Sequence, residues 1–102
     1  MQFELEKEII KALKTVFDPE IPVNIYDLGL IYEVLVDDNQ NVKITMTLTA
    51  PNCPMADDIL NNVHKSVKEI EDVLDVVVNL TFEPTWTKDM MSEEAMLELG
   101  FL

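Results

Sequence analysis

The stretch Val42-Lys43-Ile44-Thr45-Met46-Thr47-Leu48-Thr49, followed at once by Ala50-Pro51-Asn52-Cys53-Pro54, decides how the rest of the chain is read. Apolar and polar residues alternate without a fault. Val42, Ile44, Met46 and Leu48 are therefore expected to face a core, and Lys43, Thr45, Thr47 and Thr49 to face outward, as in a half-buried strand. Beyond the prolines the period changes. Ile59, Val63, Val67 and Ile70 recur at helical spacing, extended by Leu60 and Met55, which predicts a helix over residues 55–71. Asp57 and Asp58 fall in its first turn, where the positive end of the helix dipole favours carboxylates.

Working outward, Leu30–Asp37 reads as a second strand, with Tyr32, Val34 and Val36 on one face and Ile31, Glu33 and Leu35 on the other. Asp38-Asn39-Gln40-Asn41 supplies the turn that makes the two strands a hairpin. Downstream, Asp75–Phe82 places Val76, Val78, Leu80 and Phe82 on one face of a third strand. Residues 3–17 put Leu5, Ile9, Leu13 and Val16 on one stripe with Phe3, Ile10 and Phe17 beside it, an amphipathic helix that Asp18-Pro19-Glu20-Ile21-Pro22 must end. Asn24-Ile25-Tyr26-Asp27-Leu28-Gly29 continues as a connection apolar enough to be packed. A short acidic helix is expected over Ser92–Leu99, closed by Gly100, and the methionine-rich end through Phe101 and Leu102 is expected to pack over the sheet. The order α-β-β-α-β-α, with a hairpin and then a right-handed crossover, predicts an α+β fold. Residues 1–102 are expected to form a single small domain with a three-stranded mixed sheet and helices packed on one face.

The composition narrows the function. In 102 residues, 20 acidic side chains against 7 basic ones give a formal charge of −13, which repels phosphate backbones and anionic lipid headgroups. Nucleic acid and membrane surfaces are thus not expected partners, and no apolar run approaches the roughly 20 residues that span a bilayer. The single cysteine excludes an intrachain disulfide and a zinc site of paired cysteines within one chain, which suits a reducing cytoplasm.

That cysteine, Cys53, lies between Pro51 and Pro54 at a strand-to-helix junction. The prolines fix their own φ angles and stiffen the turn, and a helix N-terminus favours a thiolate. The competing reading is a small buried apolar filler, the common fate of a free cysteine. Asp18 and Glu20 flank Pro19 and either form the turn or, with Asp27, make an acidic cluster that folds against the cysteine. Carboxylates beside a thiolate raise its pKa and so oppose the dipole. Thr49 is the hydroxyl nearest the turn. His64, about ten residues along the second helix, lies on the order of 15 Å along the axis from Cys53, too far for a Cys–His pair.

Read together, Asp18-Pro19-Glu20-Ile21-Pro22, Tyr26-Asp27-Leu28-Gly29-Leu30-Ile31-Tyr32, Thr47-Leu48-Thr49-Ala50-Pro51-Asn52-Cys53-Pro54-Met55 and Phe82-Glu83-Pro84-Thr85-Trp86-Thr87 resemble the metal–sulfur cluster assembly factor family, which includes SufT and the PaaD component of phenylacetate degradation. The resemblance runs essentially end to end. Thr85 stands where many relatives carry a second proline, a departure that leaves the cysteine turn untouched. The resemblance implies a role in maturing iron–sulfur proteins, with Cys53 as the functional thiol and Asp18 and Thr49 in the signature. Glu20 and Asn52 complete the supporting set. It implies no tightly bound cofactor, only a transient iron–sulfur cluster or iron at Cys53. Its partners would be the iron–sulfur assembly machinery and apo client proteins, with a homodimer as one source of further ligands. An adaptor or transient carrier is favoured over an enzyme. Two other readings remain open: a thiol-dependent enzyme or redox regulator using Cys53, and a purely structural interaction module.

Overall fold

The alternating strand pairs on both sides. In the structure, a computed structural model that describes residues 2–17, 21–49 and 56–100, β2 (Asn41–Met46) lies between β1 (Ile31–Val36) and β3 (Asp75–Leu80). β1 runs antiparallel to β2, with Val34 opposite Ile44 and Val36 opposite Val42. β3 runs parallel to β2, with Val42, Ile44 and Met46 opposite Val76, Val78 and Leu80. Parallel neighbours need a crossover, and α2 (Ala56–Lys68) supplies it. This is the α+β fold with a mixed sheet that the sequence predicts.

One face of the sheet carries the core. Val42, Ile44, Met46 and Val76 are buried against Ile59, Val63 and Val67 of α2 and against Leu5, Ile9 and Leu13 of α1 (Gln2–Leu13). Burying each such aliphatic side chain contributes about 1.5–3 kcal/mol before the entropy of ordering it is set against the gain. The other face is open. Leu35, Lys43 and Val77 lie in one row across it.

The elements depart from the sequence expectation where local hydrogen bonds intervene. α1 ends at Leu13, not near Phe17, because the chain tightens: Thr15 N–H donates to Ala12 O (3.0 Å), Val16 N–H donates to Leu13 O (3.2 Å), and the Thr15 hydroxyl also takes Ala12 O. Val16 still reaches the core, whereas Phe17 swings outward and bridges Asn24. β2 stops at Met46. Thr47, expected outward, is fully buried, since its N–H is drawn to Leu30 O (2.8 Å) and the period-two alternation ends there. Leu80 and Phe82, expected on one face with Val76 and Val78, are 40% and 37% exposed, whereas Val76 is buried. The side chain of Phe3, and Met55, Phe101 and Leu102, lie outside what the structure describes.

The hairpin turn is held by Asp37. Its carboxylate accepts the N–H groups of Asn39 (2.8 Å) and Asn41 (2.9 Å) and the Asn41 amide (3.2 Å). The bonds from the Asn41 backbone and side chain hold the Asp37 carboxyl below the usual aspartate range. The turn is thus favoured with Asp37 ionised.

The connection between α1 and β1 is packed, as its composition predicts, with Val23, Ile25, Leu28 and Leu30 buried. Gly29 adopts φ 83° and lies under a short 3-10 turn, Lys88–Met90. A Cβ at Gly29 would meet the Met90 carbonyl far inside van der Waals contact and its Cβ at 2.9 Å. α3 (Glu93–Glu98) follows, capped by Ser92 Oγ, which accepts from Ala95 N–H (3.1 Å), and closed by Gly100 at φ 82°. α1 and α2 cover the sheet, while α3 packs against the connection between α1 and β1, with Ser92 N–H bonded to Asp27 O (2.8 Å).

The two glycines share a sign of φ but not a setting, so they separate backbone strain from collision. Gly100→Ala, with open space around it, should cost about 1 kcal/mol in denaturant unfolding. Gly29→Ala should cost more than about 2 kcal/mol, because Met90 must also move. Equal losses would show that the close approach carries no energy.

Candidate functional site

Each expected site residue belongs to one of two connections. Asn52 and Cys53, with Pro51 and Pro54, fall in residues 50–55, and Asp18 and Glu20 fall in residues 18–20. All of these lie outside the described residues. What flanks them is described. The β2 chain leaves the sheet through Thr47 and Leu48, both buried, and reaches Thr49, which is half-buried. Thr81 N–H bonds Met46 O (2.8 Å), so β3 continues alongside the same end of β2. The chain then re-enters at Ala56, the first residue of α2. Residues 50–55 therefore join the carboxyl end of a parallel strand to the amino end of its crossover helix, the position where open sheets with parallel strands bind ligands.

The electrostatics there are mixed. The amino end of α2 is the positive end of its helix dipole, while Asp57 and Asp58, exposed in the first turn, offset it. His64 is exposed on α2, and the expected threonine stripe is broken, since Thr45 is half-buried and Thr47 is fully buried. Thr49 is thus the one stripe residue beside the turn. Among the described residues, no group of three or more His, Cys, Asp or Glu side chains is placed to hold a metal ion.

The acidic connection is bordered by two clefts that the sequence reading missed. Phe17 and Pro22, on either side of residues 18–20, line one of about 180 Å³ together with Asp27, Glu94 and Glu98. The Asp27 carboxylate is turned onto the Asn24 amide (2.8 Å), and its N–H bonds Asn24 Oδ1 (2.8 Å), so Asp27 serves the turn. Ile21 and Pro22 line the other, an apolar groove of about 310 Å³, with Leu28, Trp86, Met91 and Leu99. The C-terminal segment builds the far wall of both. It is strapped to the connection by Trp86 Nε1–H donating to Leu28 O (2.7 Å) and by Tyr32 Oη–H donating to Pro84 O (2.8 Å). Glu94 and Glu98 stand four apart, a helical spacing that the sequence reading left unused.

A model of the iron-sulfur cluster assembly protein family matches residues 6–80, which carry both connections, most of α1, all of α2 and all three strands. The chain belongs to that family. Over 97% of its length it is 61% identical to an Fe-S protein maturation auxiliary factor of Porphyromonas gingivalis, covering 94% of that protein. It is 45% identical to the Fe-S protein maturation auxiliary factor SufT of Staphylococcus aureus, over 83% of this chain and 97% of that one. A crystal structure of a domain of unknown function from Bacillus anthracis superposes with a TM-score of 0.91 at 39% identity, covering 98% and 95% of the two chains. The family match stops at Leu80, so the strap lies outside it.

Replacing Trp86 by Phe keeps a ring in the groove and removes the N–H that satisfies a carbonyl on the buried Leu28. Denaturant unfolding should show a loss of about 1–3 kcal/mol. An unchanged midpoint would mean that the strap is held by apolar contact alone.

Proposed function

We propose that this chain is an accessory factor of iron–sulfur protein maturation that acts as an adaptor or transient carrier, with Cys53 as the thiol that engages the cargo. The observation that carries the reading is positional: in a member of the iron-sulfur cluster assembly protein family, the only cysteine falls in the connection between the carboxyl end of β2 and the amino end of α2. The maturation-factor names of its relatives support an accessory, non-enzymatic role.

Chemistry sets how such a factor works. Clusters are held by several thiolates, and one cysteine per chain closes only one coordination position. The cargo is therefore shared, with remaining ligands from Asp18 or Glu20, a small thiol, a second protomer or the client itself, and this incompleteness lets it move on. Thr49 and Asn52 flank the thiol in sequence and supply hydroxyl and amide groups for orienting the loop or cargo. The charge of −13 directs the protein toward protein partners, namely the assembly machinery and apo clients, in a reducing cytoplasm.

Substitution separates fold from function. Cys53→Ser should leave the thermal midpoint within a few degrees, as a turn substitution of well under about 1 kcal/mol does, and abolish support of iron–sulfur enzyme activity in cells lacking their own copy. Full support by a folded Cys53→Ser protein would contradict the reading.

Asp18→Ala should also impair maturation, and adding it to Cys53→Ser should cause little further loss, as for residues acting as a unit. Partial losses that multiply in the double variant would instead show two independent sites.

A further inference from the structure

Of the large apolar side chains exposed among the described residues, four fall within nine positions of one another: Leu74 (61%), Val77 (54%), Leu80 (40%) and Phe82 (37%). They lie on or beside β3, an edge strand of the sheet. The Thr81–Met46 hydrogen bond fixes which way its backbone faces: in the parallel register, odd-numbered residues of β3 turn their amides toward β2, and Val76, Val78 and Leu80 turn theirs away. Among the described residues no backbone hydrogen bond from outside the sheet reaches this edge, and Val76 N–H is held by the Asp75 carboxylate (2.9 Å). β3 contains no proline and no lysine, the usual guards of an edge.

We propose that this edge pairs with the β3 edge of a second copy of the chain, antiparallel and centred on Val77, to give a continuous six-stranded sheet. The strand is self-complementary in that register. Val77 stands opposite Val77 of the second copy, in a pair without direct hydrogen bonds, while Val76 and Val78 exchange N–H···O bonds with Val78 and Val76 of the second copy. Leu74 approaches Leu80, so exposed apolar groups cover one another. Asp75 stands opposite the amide of Asn79, so no like charges oppose each other within the strand. On the open face the rows join as Leu35, Lys43, Val77 and their copies in reverse order. Two forces oppose the pairing: Asp75 must release Val76 N–H, and each copy carries a charge of −13. The association is therefore weak and is strengthened by salt, which screens the repulsion.

The geometry bears on the proposed function, on which this consequence rests. Antiparallel pairing puts the two Met46 ends of β2, from which each chain runs on toward Cys53, at opposite ends of the joined sheet. Two Cys53 thiols do not share one cluster in this dimer, and the client or a small thiol completes the coordination.

The pairing is tested without any maturation assay. Sedimentation equilibrium of the full chain should show the weight-average mass rising from 11.7 kDa toward twice that value with protein concentration, and at lower concentration in high salt than in low salt. Val77→Lys, which sets two ammonium groups face to face, should remain monomeric at an unchanged thermal midpoint. In a Cys53→Ser background, Val77→Cys should form an intermolecular disulfide when a mild oxidant such as diamide accepts the two electrons and two protons. Its Cα atoms would lie about 4.5 Å apart across the two-fold. Leu35→Cys, in the same row at the far edge, should not. A monomer at every concentration in high salt, a Val77→Lys protein that still dimerises, or equal crosslinking of the two cysteine variants would overturn the proposal.

Discussion

β2 and β3 run side by side in the same direction, and parallel neighbours cannot be joined by a tight turn. From that constraint the rest of the molecule follows. The chain must leave β2 at its carboxyl end, cross over the sheet as a helix and return at the amino end of β3. The apolar face of α2 is the lid on the core because it is the crossover. The residues between β2 and α2 lie at the strand's carboxyl end for the same reason, and they contain the one cysteine.

The second organising contact is remote in sequence. Residues 21–32 follow the acidic residues 18–20, cross the core through Val23, Ile25, Leu28 and Leu30, and enter β1. The C-terminal strap holds this segment at Leu28 through Trp86, at Gly29 through Met90, at Asp27 through Ser92 and at Tyr32 through Pro84. The strap lies outside the family match, yet its side chains form walls of the clefts beside residues 18–20. The surface around Phe17, Ile21 and Pro22 is thus set partly by residues more than 60 positions away.

The core of this architecture was legible in the sequence because it rests on periodicity. Val42, Ile44 and Met46 at period two, and Ile59, Val63 and Val67 at helical spacing, are buried as their patterns require. The pattern misled where the strand ended before the alternation did. Thr47 continues the polar phase in sequence, but its N–H is bound to Leu30 and its side chain is buried. Leu80 and Phe82 continue the apolar phase past the reach of the covering helices. The end of α1 was misplaced for another reason, since the Thr15 hydroxyl and the tightened last turn act locally and leave no periodic trace. The strap's contribution to the clefts depends on long-range hydrogen bonds from Trp86 and Tyr32, which no local pattern announces. Of the candidate site, Thr49 is half-buried beside the turn, while Asp18, Glu20, Asn52 and Cys53 lie outside the described residues.

The central claim is that Cys53 is a working thiol and not a filler of the core. Its reaction with a small alkylating reagent, followed in the folded protein at neutral pH and again after denaturation, tests that claim most directly. A thiol presented at the start of α2 should be modified in the native state at a rate comparable to, or faster than, that of a small free thiol. Modification that begins only once the protein is unfolded would show a buried cysteine and contradict the account.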